Sequence, residues 1–249
     1  MSGRTFAIGD IHGDLEALER VFHRFPKLEA TDTVVFMGDY LDRGPKSAQV
    51  VDFVRKLQRE GPARIVALRG NHEDAWLRVI SVGWPEFVIP PGNGCLAAMR
   101  SFTGGKPPEP DEKPKASETK QLMTGSFFPP DVVEWMRSLP FFYEDDKAIY
   151  VHAGLPREGE GFAHPSKVEQ PASLLWLRDE HFFRNYRGKL VVFGHTATAY
   201  LPPELSTYTP EDPLDIWAGP CCVGLDTGAG KGGFLTAIEL PKMHVYESR

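Results

Sequence analysis

Residues 6–18, FAIGDIHGDLEAL, pass from apolar to polar and back to apolar within one short stretch. Phe6-Ala7-Ile8 reads as a buried strand and Gly-Asp-Ile-His-Gly (9–13) as a loop. The segment DLEALERVFHRF (14–25) reads as a helix, with Leu15, Leu18, Phe22 and Phe25 recurring along one face. Taken alone, the loop has a modest reading in which Asp10 caps the helix behind it. The pattern then returns twice. TVVFM (33–37) runs into GDYLDRG (38–44) and a helix with Val50, Val51, Val54 and Leu57 on one side. RIVAL (64–68) runs into RGNHE (69–73) and the helix EDAWLRVIS (73–81). Strand, polar loop and helix, three times over, predict an α/β fold with parallel pairing. In such sheets ligand-binding groups gather beyond the carboxyl ends of the strands, where all three polar loops fall.

The second half is less regular. GGKPPEPDEKPKASETK (104–120) holds four prolines and almost no apolar side chain, which predicts an exposed, mobile excursion on a single domain spanning 1–249. Asp131 and Glu134 then suggest a capping-box helix start, ended by Leu139-Pro140. Short strands return in AIYVHAGL (148–155), LVVFGHT (190–196), CVGLDTG (222–228) and FLTAIEL (234–240). The Pro-rich stretch 201–213 and GAGKGG (228–233) form loops between them.

Composition is that of a soluble globular protein, 41% apolar and 25% charged. A net charge of −6 argues against nucleic acid as a partner, so any anionic substrate must be held by a local site. Cys95, Cys221 and Cys222 make neither a disulfide framework nor a zinc motif. With no apolar leader and no membrane-length apolar run, a cytoplasmic location without membrane association is the expectation.

Two further clusters match the first three. Asp10 and His12, Asp39 with Asp42 and Arg43, Asn71 and His72, His152, and His195 all follow apolar strands and sit beside glycine. Mixed oxygen and nitrogen donors suit manganese, iron or zinc better than calcium. Three His, two Asp and an Asn suffice for two metals sharing one carboxylate, the standard apparatus for attacking a phosphate ester.

The ordered set GDIHG, GDYLDRG, RGNHE, HAGL and GHT closely resembles the phosphoprotein phosphatase family of calcineurin-like metallophosphoesterases, most of all its compact bacterial and bacteriophage members. The motifs span residues 9–196, and LDTGAG (225–230) resembles the family's closing strand. The resemblance implies a four-layer α/β/β/α sandwich, two mixed sheets flanked by helices. It implies one metal on Asp10, His12 and Asp39, and a second on Asp39, Asn71, His152 and His195. Manganese is the first choice for both, with iron or zinc as alternatives. A hydroxide between them would attack phosphorus directly. His72 would protonate the leaving oxygen with Asp42 bonded to its imidazole, and Arg43, Asn71 and Arg178 would bind phosphate. Arg184 and Arg187 compete for the place given to Arg178.

The expected function is therefore a metal-dependent phosphomonoesterase, a serine/threonine protein phosphatase acting on phosphorylated proteins or peptides. The alternative is a dinucleoside polyphosphate hydrolase of the diadenosine tetraphosphate type, whose members resemble the 38–44 loop without an aspartate at position 42. An inactive metal-binding scaffold is a third reading, disfavoured because no motif residue is missing.

Overall fold

Phe6, Ala7 and Ile8 are all fully buried, so both faces of the first strand are covered. The computed structural model describes residues 3–208, 212 and 214–249; of the Pro-rich stretch 201–213, residues 209–211 and 213 lie outside the described residues. The first strand, β1 (Thr5–Ile8), is followed by α1 (Leu15–Arg24), β2 (Thr33–Phe36), α2 (Ser47–Glu60), β3 (Arg64–Ala67) and α3 (Asn71–Val82). A helical segment comes next: α4 (Pro85–Val88), α5 (Cys95–Thr103), α6 (Ala116–Thr124) and α7 (Pro130–Ser138). The second half contains β4 (Phe142–Glu144), β5 (Ile149–Val151), the hairpin β6 (Arg157–Glu158) and β7 (Gly161–Phe162), α8 (Ser173–Trp176) and α9 (Glu180–Asn185). It closes with β8 (Val191–Phe193), β9 (Trp217–Ala218), β10 (Cys222–Gly224), β11 (Thr236–Leu240) and β12 (His244–Glu247).

Two mixed sheets result, ordered β12-β11-β1-β2-β3 and β4-β5-β8-β10-β9. In the first, β1, β2 and β3 are parallel, with Thr5 opposite Thr33 and Thr33 opposite Arg64, and β11 runs antiparallel to β1. In the second, β5, β8 and β10 are parallel, with antiparallel β4 and β9 on the edges. The period of two explains the layers. Ala7, Val35, Tyr150, Val192 and Val223 meet in a core between the sheets. Phe6, Ile8, Val34 and Phe36 turn outward onto α1, α2 and α3, while Ile149, Val151, Val191 and Phe193 turn outward onto Phe182 and Phe183 of α9. The arrangement is the expected helix, sheet, sheet, helix sandwich.

Several local expectations need correction. The cap of α1 is Asp14, whose carboxylate accepts from Ala17 N at 3.0 Å, so Asp10 is free of that duty. α3 begins at Asn71, which puts Asn71 and His72 in its first turn instead of in the preceding loop. α7 has no capping box: Asp131 pairs with Arg55 at 2.9 Å and Glu134 with Arg137. Apart from these corrections, the segment 104–120 is largely exposed, its last part opens α6, and Arg100 binds Glu112 and Glu118 within it. Among the described residues no helix is long and apolar enough to cross a membrane.

Candidate active site

The carboxyl ends of strands from both sheets point to one place. Asp10 and His12 follow β1, Asp39 and Asp42 follow β2, and Asn71 and His72 follow β3; His152 follows β5 and His195 follows β8. All eight are buried. His12, Asp39, Asp42, Arg43 and His195 have φ between 47° and 70°, a conformation uncommon for residues with a Cβ. Only two other described non-glycine residues share it, so unusual backbone is concentrated at this site. Glycine is required where the loops touch: a Cβ at Gly194 would lie 2.0 Å from Asp10 Oδ1, and one at Gly70 2.2 Å from Asp39 N.

Asp39 is the common neighbour. Its Oδ2 lies 3.4 Å from His12 Nε2 and its Oδ1 3.6 Å from His152 Nε2. Asn71 Oδ1 lies 2.9 Å from His152 Nε2 and 2.8 Å from His195 Nδ1. Atoms of His12, Asp39 and His72, and separately of Asp10, Asp39 and His152, fall within 4.8 Å of one another. The donors meet three physical requirements of a metal centre. First, Leu41 O and Met37 O lie 2.9 Å and 2.7 Å from the Nδ1 atoms of His12 and His152, which leaves each Nε2 to act as ligand. Second, burial pushes His12 and His152 below their ordinary pKa, and His195 down to about 2, so the imidazoles are neutral. Third, buried His12 Nε2 has no hydrogen-bond partner among the described residues, and burial with Asp226 and Asp39 close by pushes Asp10 well up. Cations at these donors relieve that repulsion.

His72 differs from the other imidazoles. Its Nδ1 lies 2.6 Å from Asp42 Oδ2, and Trp76 Nε1 donates to both Asp42 oxygens at 3.0 Å. Burial alone would lower His72, but Asp39 and the Asp42 hydrogen bond outweigh it and hold the imidazole above its ordinary value. Arg43 Nη2 stands 3.5 Å from His72 Nε2. Arg43 and Arg178 line one cavity of about 630 Å³ together with His195. Arg184 is occupied by Glu180 and Glu204, and Arg187 by backbone carbonyls of Arg184 and Tyr186, so of the three arginines only Arg178 faces this cavity.

Two contributors escape sequence reasoning. Glu73 is fully buried, and its two oxygens accept from the backbone N–H groups of Asp39, Tyr40 and Gly70 at 2.9–3.0 Å, shaping the loop that carries Asp39. Lys231 lines the same cavity as Arg43 and Arg178, with Nζ 3.3 Å from buried Asp226. In the sequence Glu73 is one more acidic residue in a helix's first turn and Lys231 a lone cation among glycines. The only signal for Lys231 is its place just after LDTGAG.

A family model described as calcineurin-like phosphoesterase matches residues 3–199. A symmetrical bis(5'-nucleosyl)-tetraphosphatase of Dechloromonas aromatica is 29% identical over 61% of this chain and 44% of its own length. One from Neisseria gonorrhoeae is 25% identical over 74% of this chain and 55% of its own. Shewanella-like protein phosphatase 2 of Arabidopsis thaliana is 34% identical over 44% of this chain and 32% of its own. The chain thus spans about half the length of these relatives, or less. Among solved structures, a protein assigned provisionally as a diadenosine tetraphosphatase superposes with a TM-score of 0.59 at 20% identity, covering 99% of this chain and 93% of that one. A serine/threonine phosphatase from Saccharomyces cerevisiae superposes with a TM-score of 0.52 at 17% identity, covering 95% and 73%. These structural likenesses speak for the fold.

Proposed function

The chain belongs to the calcineurin-like phosphoesterase family, a metallophosphoesterase by fold and donor set, and from that premise we propose that it hydrolyses dinucleoside polyphosphates. The carrying observation is the set of cations beside the donors: Arg43 and Arg178 line one cavity with Lys231, which is paired with Asp226 in the same wall, so that a chain of phosphates has several cationic partners. The tetraphosphatase relatives support the same substrate class and reverse the ranking that the sequence motifs suggest.

Two divalent ions held by Asp10, His12 and Asp39 and by Asp39, Asn71, His152 and His195 would supply Lewis acidity and water ionised near neutral pH. Manganese is the first candidate, with iron or zinc as alternatives. The chain's own groups do the rest. Arg43 and Arg178, with Asn71, hold phosphate oxygens, and Lys231 meets the neighbouring phosphate. Water's oxygen joins one phosphorus, the bridging P–O bond breaks, and the departing oxygen takes a proton from His72 Nε2. Asp42 keeps that imidazole oriented and charged.

A second reading, a serine/threonine protein phosphatase, is favoured by the Asp42–His72 pair itself. A departing serine alkoxide needs a strong proton donor, whereas a departing nucleoside diphosphate needs one far less. Parallel assays of diadenosine tetraphosphate and a phosphoserine peptide, each with Mn, Fe, Zn, Ni and Mg, decide between them. We expect kcat/KM for the dinucleotide to exceed that for the peptide at least ~10-fold, a gap of about 1.4 kcal/mol in transition-state binding. The reverse ranking establishes the second reading; no hydrolysis with any metal overturns both and leaves a scaffold.

A further inference from the structure

Arg43 and Lys231 do not border the metal donors alone. They also line a second and larger cavity, about 1170 Å³. Its walls are apolar: Val88, Ile89, Pro91, Leu96, Leu122 and Met123. Ile89 is 61% exposed, a large aliphatic side chain left open to this space. The floor is fastened to the phosphate-binding loop, because Arg43 N donates to Gly94 O at 3.3 Å and a Cβ at Gly94 would fall 2.1 Å from Arg43 N. The outer wall is the strap 108–114. Arg100, only 7% exposed, donates to Glu112 at 2.6 and 3.0 Å and to Glu118 at 2.9 Å, and so ties the strap and the first turn of α6 to α5. Glu109, Asp111 and Lys113 stand on this strap along the cavity.

The lining combines three chemistries. Arg43 and Lys231, shared with the cavity at the metal donors, are cationic, Val88, Ile89, Leu96, Leu122 and Met123 are aliphatic or apolar, and Glu109 and Asp111 of the strap offer hydrogen-bond acceptors. A nucleoside phosphate carries the complementary set. Its phosphate matches the cations, its base offers two flat apolar faces, and its hydroxyl and amino groups donate hydrogen bonds. An extended phosphopeptide, with its row of backbone polar groups, would leave the aliphatic walls poorly matched.

We propose that this cavity receives one nucleoside of the substrate. The base lies among Pro91, Leu96, Leu122 and Met123, and the phosphate chain runs back past Lys231 and Arg43 to the metal donors. This assignment rests on the dinucleoside polyphosphate reading and adds where the nucleoside binds and which segment selects it.

Two variants test it in the full-length, metal-loaded protein. Met123→Trp fills the cavity from a half-exposed position, and Ile89→Glu places a charge on the open apolar wall with little risk to folding. Binding of ADP and of inorganic phosphate is measured by calorimetry, and hydrolysis of diadenosine tetraphosphate is followed in parallel. In both variants the ratio of the ADP Kd to the phosphate Kd should rise at least ~10-fold, with KM for the dinucleotide rising alongside it. A parent protein that cleaves the dinucleotide, while both folded variants hold that ratio within about twofold, overturns the cavity assignment alone. A parent protein that does not cleave the dinucleotide overturns the substrate class, and the nucleoside assignment falls with it.

Discussion

His72 stands between two carboxylates, with Nδ1 2.6 Å from Asp42 and Nε2 4.0 Å from Asp39. We propose a proton donor here rather than one more ligand, although its atoms also lie within reach of His12 and Asp39, and the two roles separate by experiment. His72→Asn should retain two metals per chain by elemental analysis. It should also lower kcat on an alkyl phosphate at least ~10²-fold, the lower bound for a lost general acid. Asp42→Asn should follow the same pattern less severely. Both losses should shrink on an aryl phosphate such as p-nitrophenyl phosphate, whose leaving group needs little protonation. A His72→Asn protein that loses metal would make His72 a ligand, and equal losses on both esters would remove the proton from the argument. Much of the site at this scale was legible. Asp, His and Asn beside glycine are too particular a choice, repeated five times, to serve as turns. What the sequence did not disclose were partners set by distance alone. Trp76 reads as a core aromatic at helical spacing, and nothing in a chain of letters indicates that its indole nitrogen reaches Asp42.

The strap between α5 and α6 carries contacts that composition does not disclose. Prolines and charges in 104–120 predict mobility because such residues bury little surface. Against that stands one buried guanidinium that collects two carboxylates, an arrangement with no periodic signature, and the two effects separate by experiment. Arg100→Met keeps the side chain's length and loses the ion pairs. Endoproteinase Lys-C should then cut at Lys106, Lys113 or Lys115 at least ~10-fold faster, since local opening exposes the cleavage sites. Acid should act in the same direction. Arg100 draws Glu112 from its ordinary value near 4.5 down to about 2, so its stabilisation is complete above 4.5 and fades as pH falls towards 2. The melting-temperature gap between the parent and Glu112→Gln should therefore be widest at neutral pH and close over that window. A gap that is constant with pH would mean that the Arg100–Glu112 pair does not hold the strap.

At the scale of the molecule, the sandwich brings together donors that neither sheet supplies alone. Asp10, His12 and Asp39 come from the first sheet and His152 and His195 from the second, with His195 N donating to Asp10 across the gap at 2.9 Å. The central parallel strands were legible because both faces of each are apolar. The edge strands β4, β9 and β12 were not, being short and less fully buried or defined by their neighbours. Two sheets that meet at buried Asp10, Asp39 and Asp226 oppose one another electrostatically, so bound cations should hold them together. A metal that binds only the folded chain at 100 times its Kd adds about 2.7 kcal/mol, and for a chain of this size each kcal/mol moves Tm by about 2–4 °C. Chelation should thus lower Tm by roughly 5–10 °C per site, and restored manganese should recover it. Asp39→Asn removes the one carboxylate near both donor groups while keeping an oxygen for the His72 N–H. Its melt should ignore manganese. A parent melt that chelation does not move, or an Asp39→Asn protein that responds to manganese as the parent does, would show that the two sheets are joined by packing alone.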